Sequence, residues 1–265
     1  MTWSKRMRPM MGTFVEVGFD SAVVSDVAWV FQRAFQALEE VVSLMSFHDV
    51  NSDLSRINAQ PGQWVRVQAP TVALLQRAKQ LMLDSDHLFN CTVGGYLVRD
   101  GILPEHEGYA SALPVGRAED LDIDGEAVRL RRPVLVTLDG IAKGFAVDRA
   151  VNAMQACGVE NGWVNAGGDL RCFGAVTLPV ALRTSDGYQT LTLQNAALAC
   201  SNTSHSEDFP SKIFHSDGGS PDDVEISVQA DSAWLADGVT KVLALAEPEA
   251  RSALAKKLGA RHLSL

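Results

Sequence analysis

Long apolar runs, paired cysteines, clustered histidines and basic stretches are all missing from this chain of 265 residues. Its 23 lysines and arginines form no run and are outnumbered by 32 aspartates and glutamates, leaving a formal net charge of −9. That balance argues against duplex nucleic acid and anionic membrane surfaces as partners. A phosphate-bearing small molecule remains compatible with it, because a few local cations override the global sign. The four cysteines, Cys91, Cys157, Cys172 and Cys200, contain no CxxC and no paired spacing with histidine. Structural zinc and a redox dithiol therefore find no support, and buried, reduced thiols are expected. The six histidines show no HExxH spacing, and His87 and His106 read as surface groups. There is no GxSxG elbow, and neither GxxxxGK[ST] nor GxGxxG occurs, so covalent hydrolase chemistry and the standard nucleotide loops are unsupported. No segment is apolar enough for a signal-peptide core or a membrane span. The expectation is a cytoplasmic chain, or a periplasmic one if an export segment precedes it.

What is present is ordinary globular material, 46% hydrophobic and 21% charged, long enough for one substantial domain over residues 1–265. Residues 12–19 alternate as a strand, and Val27, Val30, Phe31, Ala34, Phe35, Leu38, Val41, Val42 and Met45 form a helical stripe within 22–45. A polar loop with a short helix is expected at 45–58, a strand near 63–68 and a helix at 70–86. Proline, glycine and acidic residues mark 100–120 as a surface excursion. Strands are expected at 126–130 and 134–138, then a helix ending at Gly158. A β-rich section follows at 161–166, 169–174, 178–183, 189–194 and 197–200, with a hairpin turn in "TSDGY". A mobile loop is expected at 201–223. Beyond it come a strand at 224–230, helices at 232–246 and from Pro248 to before Gly259, and a final strand. This mixed order predicts an α+β fold.

Three glycine-bearing or polar segments could carry chemistry. "LDGIAKGFAVDRA" (138–150) places Gly140, Lys143 and Gly144 where a helix begins. Backbone N–H groups there favour phosphate oxygens, and the lysine adds a point charge. Taken alone, it is also a helix start with a snorkelling lysine. "VNAGGDLRCFG" (164–174) is a hairpin turn or a bulge on its local features, yet Gly167 and Gly168 would admit a ligand close to the backbone, beside Asn165 and Asp169. In "SAWLADGVTKVLAL" (232–245), Asp237 and Lys241 stand at i and i+4. They read either as a helix-face ion pair or as an oxygen ligand for a hard cation with a lysine beside it.

Together with "RPMMGTFVEV", "MSFHDVNSDLSRIN" and "FNCTVGGYL", these segments form an ordered series over residues 8–245. That series resembles the FAD:protein FMN transferase family, the ApbE-like flavin transferases. The resemblance implies mixed and antiparallel sheets packed with helices around a central cleft that grips FAD. It implies Mg²⁺-dependent transfer of FMN from FAD to a Ser or Thr hydroxyl of a flavin-accepting protein, with release of AMP. It assigns catalysis to Lys143 and Asp237, and metal binding to Gly140 and Asp237. Contacts to FAD fall on Met11, His48, Asn90, Thr92, Thr137, Lys143, Asn165, Gly167, Gly168 and Asp169. Alternatives are an FAD- or FMN-binding protein without transfer, or a pyrophosphatase giving FMN and AMP. Asp139, Asp169 and His215 are the candidate general bases.

The chain departs from the family pattern at several points. His48 stands where the family has tyrosine, Asn90 and Cys91 interrupt its FDPT segment, and Thr137 replaces an aspartate. Asp139, two residues on, could present a carboxylate on the same side. Lys241 occupies the position of a hydroxyl residue, with Thr240 one place early. The family's HIIDPRTG segment has only His215 and Asp217 as a remnant.

Overall fold

The computed structural model describes residues 2–22, 24–184, 187–202, 212–221 and 224–264. Its frame is a seven-stranded sheet whose neighbouring strands all run antiparallel. In chain order the strands are β1 (Trp3–Met10), β2 (Thr13–Asp20), β6 (Gly162–Ala166), β7 (Asp169–Phe173), β10 (Ala197–Asn202), β11 (Glu225–Ala230) and β12 (Ala260–Leu263), and they lie side by side in that same order. A small sheet, β3 (Val65–Arg66), β5 (Ala127–Leu130) and β4 (Leu121–Asp124), stands apart, as does the hairpin of β8 (Thr177–Thr184) and β9 (Gly187–Gln194). The α+β reading is correct.

Alternation along the strands sorts residues to the two faces. Val15, Val17 and Phe19 of β2 enter the main core, against α1 (Val27–Met45), α5 (Ala142–Ala156) and α6 (Ala233–Leu245). On the opposite face Leu170, Cys172 and Leu198 meet Leu182 and Leu193 of the β8–β9 hairpin in a second, smaller cluster. Helix α1 starts where Asp26 accepts the Trp29 N–H at 2.9 Å. Val42, part of its apolar stripe, is exposed.

Several expected elements change. Strand β1 lies outside the sequence expectation; it is an edge strand whose side chains are mostly exposed, so no apolar alternation announces it. Residues 134–138 are extended but belong to no sheet: Val134 makes one isolated bridge to Leu113. Asn58 then takes both polar groups of Val136, accepting its N–H at 2.8 Å and donating to its carbonyl at 2.8 Å. The side chain thus replaces a neighbouring strand. The expected 70–86 helix is α3 (Ala69–Asp84); two short helices, α2 (Asp53–Asn58) and α4 (Gly94–Arg99), stand before and after it. The segment 100–120 is less of an excursion than its composition implies, since Leu103, Tyr109, Ala118 and Asp120 are buried. Helix α7 (Arg251–Lys257) precedes β12. Of the expected mobile loop, Ser201 and Asn202 belong to β10, while residues 203–211 and 222–223 lie outside the described residues.

All four cysteines are free, but only Cys91 and Cys172 are buried; Cys157 and Cys200 are half-buried. Burial pushes the Cys91 thiol up to about 12, which leaves it inert. The histidines read as surface groups have structural partners instead. The His106 ring lies 2.7 Å from the Phe47 carbonyl, and His87 Nε2 accepts the Ala118 N–H at 3.3 Å.

Candidate functional site

Two turns at one end of the large sheet frame the site. The β1–β2 turn is Met11-Gly12, with φ of 53° and 69°, and the β6–β7 turn is Gly167-Gly168, with φ of 62° and 104°. Each is a two-residue hairpin with both residues in the left-handed region, which right-twisted strands require. A Cβ on Gly167 would come within 2.5 Å of Thr13 Oγ1, so the two turns interlock and glycine is needed there. Asn165 Oδ1 accepts the Gly168 N–H at 3.1 Å.

Strand β7 leaves this turn with two charged residues on its helix-facing side, and both pair with α5. Asp169 meets Lys143 at 3.0 Å and Arg171 meets Asp148 at 2.7 Å. Helices α5 and α6 then cap one another. Asp148 of α5 accepts the Ala233 and Trp234 N–H groups at 3.0 and 2.9 Å, satisfying the start of α6. Asp237 of α6 accepts the Gly144 N–H at 3.0 Å in the first turn of α5. Neither helix has a capping side chain of its own, so each supplies the other's missing acceptor. Gly144 makes this approach possible: a Cβ there would lie 2.2 Å from the Ala233 carbonyl oxygen.

Asp237 is itself fully buried, but its neighbours Lys143 and Asp139 border two cavities. The first, about 320 Å³, is bordered by Phe89, Asn90, Thr137, Gly140, Phe214 and Lys241. The second, about 440 Å³, is bordered by Met11, Val41, Val42, Met45 and His48. Asp139 and Lys143 border both, so a carboxylate and an ammonium form the shared wall. Both volumes suit small-molecule sites.

The electrostatics concentrate on that wall. Burial and the neighbouring Asp237 push Asp169 up to about 6, against the opposing pull of Lys143 and Lys241. Asp139 is exposed to solvent within the concave wall. Desolvation by the surrounding protein raises its carboxyl above the ordinary range, while Thr137, His48 and Lys143 pull the other way. For Lys143, burial acts to lower the pKa, but Asp169, Asp237 and Asp139 outweigh it and hold the ammonium above its usual value.

The residues singled out in the sequence separate into two groups. Met11, His48, Asn90, Thr137, Gly140 and Lys143 border one or both cavities. Asn165, Gly167, Gly168 and Asp169 border neither and build the turn and the ion pair behind Lys143. Thr92 is fully buried away from both cavities; its hydroxyl donates to Asn90 Oδ1 at 2.6 Å and accepts the Gly116 N–H at 3.0 Å. Asn90 holds that loop as well, through Gly116 at 3.1 Å. Asp217 borders a different depression beside His87, and His215 borders neither cavity. Asp148 and Arg171 escaped the sequence reading, although both lie inside quoted motifs; their partners are distant in the chain and no local pattern marks them.

A divalent cation at Asp237 does not fit this donor set. The carboxylate of Asp237 is fully buried, with one oxygen bonded to the Gly144 N–H and the other to the Lys241 ammonium. Thr240, the nearest hydroxyl, is turned inward, donating to the Asp237 carbonyl at 2.6 Å and lying 2.7 Å from Ser201 Oγ. Among the described residues, no group of three or more His, Cys, Asp and Glu is placed to hold a metal ion.

A model of the ApbE family matches residues 11–263. The chain belongs to that family. Its curated relatives include the FAD:protein FMN transferase of Vibrio cholerae serotype O1, 28% identical over 177 residues, or 63% of this chain and 53% of that protein. The FAD:protein FMN transferase of Klebsiella pneumoniae is 26% identical over 184 residues, 64% of this chain and 58% of that protein. The match thus spans little more than half the length of these relatives. Among solved structures, a mutant of the flavin transferase ApbE from Vibrio cholerae has a TM-score of 0.84 at 24% identity, covering 96% of this chain and 91% of that one. The ApbE protein of Thermotoga maritima gives 0.84 at 22% identity, covering 98% and 93%. These structures share the ApbE fold with this chain. Among the described residues, no helix is long and apolar enough to cross a membrane.

Proposed function

We propose that this chain transfers FMN from FAD to a serine or threonine hydroxyl of an acceptor protein and releases AMP. The observation that carries the reading is the shared wall: two cavities meet at Lys143 and Asp139. FAD has two bulky ends joined by a charged diphosphate, and the names of the curated relatives supply the chemistry to test. In this reading the apolar second cavity, with Met11 and His48, takes the flavin ring, and the first cavity takes the adenosine. Imidazole still offers an aromatic face at His48, though a smaller one than tyrosine.

The transfer is a displacement at the FMN-side phosphorus. The acceptor oxygen forms a new P–O bond, the phosphoanhydride P–O bond to AMP breaks, and the hydroxyl proton goes to a base. Lys143, held by Asp169 at 3.0 Å, neutralises charge on the phosphate oxygens. Asp139 is the base in this reading, because its carboxylate reaches both cavities where the acceptor hydroxyl would enter. No step is assigned to magnesium, because the donors at Asp237 are already engaged.

Incubation with FAD and a flavin-accepting protein, followed by acceptor mass and nucleotide analysis, tests the reading. Acceptor heavier by FMN together with free AMP supports transfer. Free FMN with AMP points to hydrolysis, and intact bound FAD to a carrier.

A further inference from the structure

We infer that the Lys241 ammonium takes the place of the divalent cation implied by the family resemblance, so that this site meets a diphosphate with two fixed lysines and no metal. The inference deepens the flavin-nucleotide reading and rests on it for the identity of the ligand. Three observations converge. First, Lys241 stands one helical turn after Asp237 and closes on its Oδ1, where a cation drawn to that carboxylate would sit. Second, the lysine stem runs beside Gly140: a Cβ on that glycine would lie 3.5 Å from Lys241 Cγ and 3.7 Å from its Cε. The lysine therefore fills the space between Gly140 and Asp237, the two positions that the family resemblance assigns to the metal. Third, Lys143 and Lys241 both border the first cavity, one from the start of α5 and one from α6.

Asp237 acts on both Asp139 and Asp169, and the ammonium groups of Lys143 and Lys241 stand among these carboxylates. A hard dication entering here would have to displace the ammonium from Asp237 or sit against it, and both oppose binding. A lysine, by contrast, is always present and needs no dehydration of an ion. It offers three donors to phosphate oxygens but cannot act as a Lewis acid. The substitution predicts a site that binds its nucleotide equally well with and without divalent metal.

The test measures FAD affinity by flavin fluorescence in EDTA and in excess Mg²⁺, for the wild type, Lys241→Ser and Lys241→Arg. The wild-type affinities should agree within about twofold. Lys241→Ser should bind about 30-fold more weakly in EDTA, the scale of one lost charge-assisted phosphate contact, and Lys241→Arg should remain indifferent to metal. A wild type that needs Mg²⁺ for FAD, or a Lys241→Ser protein as tight as wild type in EDTA, overturns the inference. A titration of the metal alone needs neither nucleotide nor the serine variant. Wild type and Asp237→Asn should show the same Mn²⁺ uptake by electron paramagnetic resonance, and a wild-type site lost in Asp237→Asn overturns the inference. If FAD binds under neither condition, the flavin reading falls, and the Mn²⁺ titration still decides what occupies the cation position.

Discussion

The two crossings between α5 and α6 use the same device with different surroundings. At one, Asp148 accepts two backbone N–H groups and a guanidinium from Arg171, one carboxylate against one cation. At the other, Asp237 accepts one N–H and the Lys241 ammonium, beside Asp169, Lys143 and Asp139 and against the cavity shared by both lysines. The first crossing satisfies its carboxylate completely, on the edge of a cavity of about 350 Å³ that Arg77 and Arg149 also border. The second has more charge than it needs for capping and directs the surplus at a space large enough for a ligand. Capping explains why both aspartates are present; it does not explain the further charges gathered around Asp237.

That contrast can be broken by substitutions at either end. The largest effect is expected at the cavity: Lys143→Met should lower kcat/KM for FMN transfer by about 10³, roughly 4 kcal/mol of lost phosphate stabilisation, with a smaller loss in urea unfolding because buried Asp169 loses its partner and takes up a proton instead. Asp148→Ala should do the reverse. Leaving two N–H groups and Arg171 without their acceptor should cost about 3 kcal/mol of stability, read by urea denaturation, while FAD affinity stays near that of wild type. If Asp148→Ala abolishes FAD binding without loss of stability, the division between the two ends is wrong. Asp139→Asn should lower kcat by about 10² and remove the acidic limb of the pH–rate profile while leaving KM for FAD largely unchanged, the signature of a lost base.

The smallest effect sharpens the account of Asp169. Its folded pKa, about 6, lies above the ordinary value of 3.8, so the folded state holds a proton that the unfolded chain has already released. The associated stability is fully present below about pH 4 and is lost as pH rises through about 6. Asp169→Asn should flatten that part of the melting-temperature profile between pH 4 and 6. An unchanged slope would place the proton on another group.

Much of this is legible in the sequence. The stripe from Val30 to Met45 predicts α1, the asparagine-diglycine segment predicts the β6–β7 hairpin, and Lys143 stands at the start of a helix as its motif indicates. What stayed hidden depends on pairs far apart in the chain. Asn58 and Val136 are separated by 78 residues, so an extended run with a side-chain partner looks like a strand. Thr92 belongs to a family segment yet satisfies its hydroxyl inside a loop, and no local pattern tells a ligand contact from a loop tie. The i, i+4 relation of Asp237 and Lys241 was readable from sequence; that the same carboxylate also holds Gly144 was not, because 93 residues lie between them.

The mutual capping of α5 and α6 has a consequence for how the molecule forms. Helix nucleation is unfavourable in isolation, and here each helix must wait for a carboxylate borne by the other. Lys143 and Lys241 therefore reach their posts in the same cooperative event, and a nascent chain should not display half a binding site during its synthesis.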